Sequence, residues 1–189
     1  MNIPTNYHPE LKKFIQELDK IVKKGGSEEF ITGKVAKRLE SLLQHKNIIP
    51  DKLKKPNSEH YVMYPVYVAP DQSFSIASAV WDVNQSTPPH DHGTWGVIGI
   101  VEGTEHEIRY MPNEASGKIT REGDHLHYEE SVTVCCTSDQ DLHEVSCASS
   151  IPCVGIHVYG GDIGQIERRS YNKETGEINT FVSDWAVPN

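Results

Sequence analysis

Helical periodicity opens this chain, and strand-like runs replace it after residue 60. Leu11, Phe14, Ile15, Leu18, Ile21 and Val22 recur at the three- and four-residue intervals that gather side chains on one face of a helix. Gly25-Gly26 supplies a stop, and Ser27 with Glu28 and Glu29 has the composition of a second helix start. Val35, Leu39, Leu42 and Leu43 continue that helix's apolar stripe. The pattern predicts two amphipathic helices within residues 8–46, followed by a connector over 47–57 that contains Pro50 and Pro56. From Tyr61 onward, short β-branched and aromatic runs cover residues 61–68, 73–81, 95–103, 106–110, 131–136, 153–159 and 178–182. Turn-rich pieces separate them, among them 69–71, 84–86, 112–114 and Ser138-Asp139. Many short strands at roughly even spacing predict a β-sandwich or barrel over residues 58–185. The helices are expected to pack outside that barrel, in one domain spanning residues 1–189 with no internal repeat.

Composition removes several classes of function. A net charge of −9 argues against a nucleic-acid or anionic-membrane partner. No run of about 18 apolar residues is present, and the first residues lack a signal peptide's apolar core, so the chain reads as cytoplasmic. The four cysteines (Cys135, Cys136, Cys147 and Cys153) form no Cys-x-x-Cys pair and are expected to be reduced, buried thiols.

The chemistry concentrates in Pro88-Pro89-His90-Asp91-His92 and the segment Gly93-Thr94-Trp95-Gly96 that follows. On an extended strand, side chains alternate, so His90 and His92 share one side while Asp91 points to the other. Two imidazoles beside a rigid diproline turn are a ready pair of metal ligands. A third is needed, and His143 in Asp141-Leu142-His143-Glu144-Val145 is the candidate, with His106, His125, His127 and His157 as rivals. His125-Leu126-His127 is itself a His-x-His pair, but its acidic flanks read as a solvated loop or edge. Three neutral imidazoles would leave a divalent ion its full charge and about three open positions of six. Such a site suits a thiolate with dioxygen beside it. Taken singly, Tyr159 and His157 also fit satisfied core residues, and Arg168 fits the surface.

The His-x-His spacing and Gly103 resemble the first motif of the cupin barrel, a double-stranded β-helix or jelly roll. Gly96 stands where that motif carries an acidic ligand, and Asn84 where it opens on glycine. Only Asp141 and His143 keep the second motif, with Gln140 and Cys147 departing from it. Over residues 74–185 the order of segments 74–81, 88–103, 141–146, 155–164 and 167–177 resembles bacterial thiol dioxygenases, cupins related to cysteine dioxygenase. The 3-mercaptopropionate dioxygenase branch is the nearest match.

The resemblance implies an all-β cupin barrel with the N-terminal helices outside and a non-haem Fe(2+) held by His90, His92 and His143. It implies His157 and Tyr159 as a catalytic pair beside the metal, with Tyr159 also touching substrate, and Arg168 as the clamp for a substrate carboxylate. The expected activity is oxidation of a small thiol carboxylate by O2 to its sulfinic acid. 3-Mercaptopropionate is the first choice; cysteine and mercaptosuccinate remain open. So do a non-catalytic cupin sensor of metal or small acid, and a zinc or nickel cupin enzyme. Three positions depart from the family. Gly155 replaces the serine of a Ser-His-Tyr relay, and Gly96 replaces the cysteine cross-linked to tyrosine in animal enzymes. Pro65 falls near the position of the family's arginine or glutamine.

Overall fold

The second helix starts at the Ser27 cap that its sequence predicts, and the first opens on a cap the pattern did not name. In a computed structural model that describes residues 2–113, 117–135, 137 and 141–188, α1 spans Pro9–Lys24 and α2 spans Glu28–Leu43. His8 caps α1 by accepting from the Glu10 amide (3.2 Å), with Pro9 in the first turn. Ser27 Oγ caps α2 by accepting from the Phe30 amide (3.2 Å). No helix among the described residues is long and apolar enough to cross a membrane. Glu114, Cys136, Ser138, Asp139 and Gln140, which the sequence reading used, lie outside the described residues.

Ten strands follow. β1 (Val62–Val68), β2 (Ser75–Trp81), β3 (Gly96–Glu102), β6 (Val132–Cys135) and β8 (Cys153–Tyr159) form an antiparallel sheet in the order β1-β2-β8-β3-β6. β4 (Thr104–Asn113), β5 (Lys118–Tyr128) and β7 (His143–Cys147) form a second sheet in the order β5-β4-β7. β9 (Arg168–Tyr171) and β10 (Ile178–Phe181) pair as a hairpin. The segment carrying the diproline joins this hairpin to β7. Thr87 N donates to Val145 O (2.8 Å), His90 N to His143 O (2.8 Å), Asp91 N to Arg169 O (3.1 Å) and Tyr171 N to Pro89 O (2.8 Å). The result is the all-β, cupin-type double-stranded β-helix barrel, with two helices at the N-terminus.

β2 and β8 are buried along their whole length because both of their faces are covered. Ile76, Val80, Val154, Ile156 and Val158 face a core shared with Leu11, Phe14, Ile15, Leu18, Val35 and Leu39 of the helices. Ala77, Ala79, Trp81 and Tyr159 face the barrel interior instead, with Val145 of the other sheet. This two-sided burial explains the near-continuous apolar runs in the sequence.

The structure corrects the sequence reading at three points. His90-Asp91-His92 lies in an extended segment held by isolated bridges to β7 and β9, not on a regular strand. His125 and His127 sit on β5, an eleven-residue edge strand, so the edge reading holds and the loop reading does not. Cys147 and Cys153 are joined as a disulfide between the end of β7 and the start of β8, with Cα atoms 5.6 Å apart, not held as separate reduced thiols. Their spacing of six residues brings the two strands together.

Candidate metal centre

The bridge between His90 and His143 sets the site's geometry. It places the two backbones side by side, and His92 returns to the same interior after one intervening residue. The ring centroids stand 5.3 Å apart for His90–His92 and 4.9 Å for each of them to His143. One nitrogen from each ring lies within 4.8 Å of the others, and all three residues are buried. That is the scale of one ion with metal–nitrogen bonds of about 2.1 Å.

Each ring is oriented from behind. His90 Nδ1 is bonded to Pro88 O (3.0 Å), His92 Nδ1 to Asp141 Oδ2 (2.6 Å) and His143 Nδ1 to Glu107 Oε1 (2.8 Å). Acceptors at all three Nδ1 atoms put the protons there and leave the Nε2 lone pairs free for a metal. His143 Nε2 is buried with no hydrogen-bond partner, which a cation at the centre would correct. Burial first, then the electrostatics of neighbouring His143 and Arg168, holds His90 and His92 well below the usual imidazole pKa. They are therefore neutral, as ligands must be. The donor set fits a divalent first-row metal.

Asp91 takes the opposite side, as its alternation predicts. Its carboxylate accepts from Arg169 N (2.9 Å) and Arg169 Nε (2.6 Å) and locks the segment to β9. Among the rivals, His106 pairs with Asp124 (3.1 Å), His127 pairs with Glu107 (2.9 Å), and His125 is exposed. His157 lies in the interior, where Nδ1 is 2.9 Å from Tyr159 Oη. Burial pulls the His157 pKa down to about 3 and pushes the Tyr159 phenol well above its ordinary value. Tyr159 packs beside His92 at a centroid distance of 5.3 Å.

Arg168 enters the same cavity from β9, 2% exposed. Phe181 stacks on its guanidinium at 4.6 Å, and Ser183 Oγ accepts from Nη2 at 2.5 Å. Its Nε is buried without a partner, and among the described residues no carboxylate pairs with it. Tyr61 bonds Ser183 (3.2 Å) and lines the cavity with Met63, Ala79 and Val145. Pro65 does not line it, so the wall expected at that position is built by Tyr61 and Met63. Gly96 has a packing reason: a Cβ there would stand 2.7 Å from Cys135 Sγ, which reaches in from β6. Sequence reasoning missed Glu107, Phe181, Ser183, Tyr61 and Met63; none belongs to the His-x-His pattern, and only their strand alternation could have suggested an inward direction.

No family model matches the chain. Among solved structures, a double-stranded β-helix protein from Klebsiella pneumoniae is 9% identical, covering 75% of this chain and 94% of its own, at a TM-score of 0.48. An RmlC-like cupin from Desulfovibrio desulfuricans is 17% identical over 61% of this chain and 95% of its own, at 0.44. An oxalate oxidase in complex with the substrate analogue glycolate is 14% identical over 57% of this chain and 53% of its own, at 0.42.

Proposed function

We propose that the protein is an iron-dependent thiol dioxygenase acting on a small thiol carboxylate. The observation that carries this reading is the pairing of two features in one cavity: three converging imidazoles and a buried arginine without a carboxylate partner among the described residues. A buried unpaired guanidinium is costly unless an anion completes it, and a carboxylate matches its planar fork. Phe181 and Ser183 fix the guanidinium in advance, which reduces the ordering that substrate binding requires.

Fe(2+) held by the three histidines would supply open positions that bring a thiol sulfur and dioxygen together. Both oxygen atoms end on sulfur, R–SH + O2 → R–SO2H, with sulfur losing four electrons and dioxygen gaining four. Arg168 holds the far end of the substrate. Tyr159, its proton retained because burial disfavours the phenolate, offers a hydrogen bond beside His92.

The remaining wall favours 3-mercaptopropionate. Among the described residues no Asp or Glu lines the cavity to meet the ammonium of cysteine, and Arg168 is the one guanidinium among them for the two carboxylates of mercaptosuccinate. Oxygen uptake by iron-loaded protein across 3-mercaptopropionate, cysteine, mercaptosuccinate and cysteamine tests this. The expected order places 3-mercaptopropionate first and cysteamine, which has no carboxylate, last. Uptake with none of them, together with retained binding of 3-mercaptopropionate, would favour the non-catalytic sensor. Stoichiometric zinc, with no activity restored by iron, would sink the dioxygenase reading. In Arg168→Ala, the apparent KM for carboxylated thiols should rise by the equivalent of about 2–3 kcal/mol, the worth of a charge-assisted bond; unchanged kinetics reject the clamp.

A further inference from the structure

Two buried polar atoms that the metal centre does not use face one small space. Gly155, His157 and Tyr159 alternate along the interior side of β8, while Glu105 enters from β4 in the facing sheet, 2% exposed. A Cβ on Gly155 would lie 2.7 Å from His157 Nε2 and 3.1 Å from Glu105 Oε1. Both of those atoms are buried and lack a hydrogen-bond partner. We propose that Glu105 is a positioning residue that completes a chain Glu105–His157–Tyr159 across the gap Gly155 leaves open.

The chemistry of imidazole demands such a partner. His157 Nδ1 is engaged by Tyr159 Oη at 2.9 Å. A neutral imidazole has one donor and one acceptor nitrogen, so Nε2 must find a group of the role opposite to Tyr159's. A carboxyl serves either case: protonated it donates to Nε2, ionised it accepts from it. Burial, then the charge of Glu107, raises the Glu105 pKa to about 8, so the neutral acid dominates at pH 7. A rotation of the Glu105 side chain or one bridging water closes the gap between the two atoms. The glycine is therefore part of the device, because a side chain at residue 155 would stand between carboxyl and ring.

The catalytic consequence rests on the thiol dioxygenase reading; the hydrogen bond does not. Two measurements keep them apart. In metal-free protein labelled with 15N-histidine, Glu105→Leu should shift the ring nitrogens of His157, and Glu105→Gln, which keeps a donor and an acceptor, should shift them less. Gly155→Ala, which inserts a methyl between the two groups, should reproduce the Leu result and serves if Glu105→Leu does not fold. Unmoved His157 signals would overturn the proposal whatever the enzyme's activity. In iron-loaded protein, Glu105→Leu should lower kcat about ten- to hundredfold, the range for partners acting through another group, with the KM for 3-mercaptopropionate unchanged. In the Tyr159→Phe background the same substitution should change kcat by less than about twofold, because non-additivity marks residues acting as one chain. Equal losses in both backgrounds, or equal losses for Leu and Gln, would make Glu105 merely structural.

Discussion

Glu107 shows how one side chain sets the electronic character of the candidate metal centre. Its Oε1 accepts from His143 Nδ1 (2.8 Å), and its Oε2 accepts from His127 Nε2 (2.9 Å) and Arg109 Nε (3.1 Å). Burial alone would raise this carboxyl, but the bonds from His127 and His143 and the charge of Arg109 hold it well below the usual range. An ionised carboxylate behind His143 raises the basicity of the ligand nitrogen and fixes its ring. Glu107→Ala is therefore expected to weaken metal affinity about ten- to hundredfold, read by competition with a chelator; unaltered affinity would show that the ring is oriented by packing alone. The sequence singled out the histidines by their unusual spacing, and Tyr159 and Arg168 only through their joint order with them. It hid Glu107 for a physical reason. On β4 the acids Glu105 and Glu107 are buried while Ile108 is partly exposed, which reverses the hydrophobic-in rule on which pattern reading depends.

Among the elements, those with apolar content were the ones that could be read. α1 and α2 stand within the expected 8–46, and β1, β2, β3 and β8 fall on the predicted runs, because each buries at least one apolar face. β5 was missed as a strand because it lies at a sheet edge with most of its residues exposed, so no period-two apolar pattern survives. β7 and β9 are four or five residues long and carry polar groups into the site, and hydrophobicity gives no signal there. The helix–sheet contact also has a requirement written in one residue. A Cβ on Gly99 of β3 would stand 2.9 Å from Leu39 and 2.9 Å from Leu43, so α2 lies directly on that backbone. Gly99→Val should destabilise the fold by about 1–3 kcal/mol through overpacking. A urea midpoint equal to that of the parent protein would mean that α2 shifts without cost.

Across the whole molecule, the interior works against its own ionisation from both sides of neutrality. Glu105 has a folded pKa of about 8 against an ordinary 4.5, so its contribution is fully present below pH 4.5 and is lost as pH rises through 8. His157 is displaced the other way, to about 3 from 6.5, so its contribution is present above pH 6.5 and is lost as pH falls towards 3. His90 and His92, also depressed by burial, add to the loss on the acid side. Between pH 4.5 and 6.5 the unfolded chain takes up more protons on these histidines than the fold keeps on Glu105, so stability climbs with pH. Above 6.5 the histidines are neutral in both states and only the carboxyl matters, so stability declines. Metal-free protein is accordingly expected to be most stable near pH 6.5, with an alkaline loss on the order of a few kcal/mol. Glu105→Gln, which cannot ionise, should flatten the alkaline limb up to pH 8 and leave the acid limb in place. Urea midpoints measured from pH 4 to 9 with a chelator present read both limbs. An alkaline limb that persists in the Gln variant would assign it to a group other than Glu105.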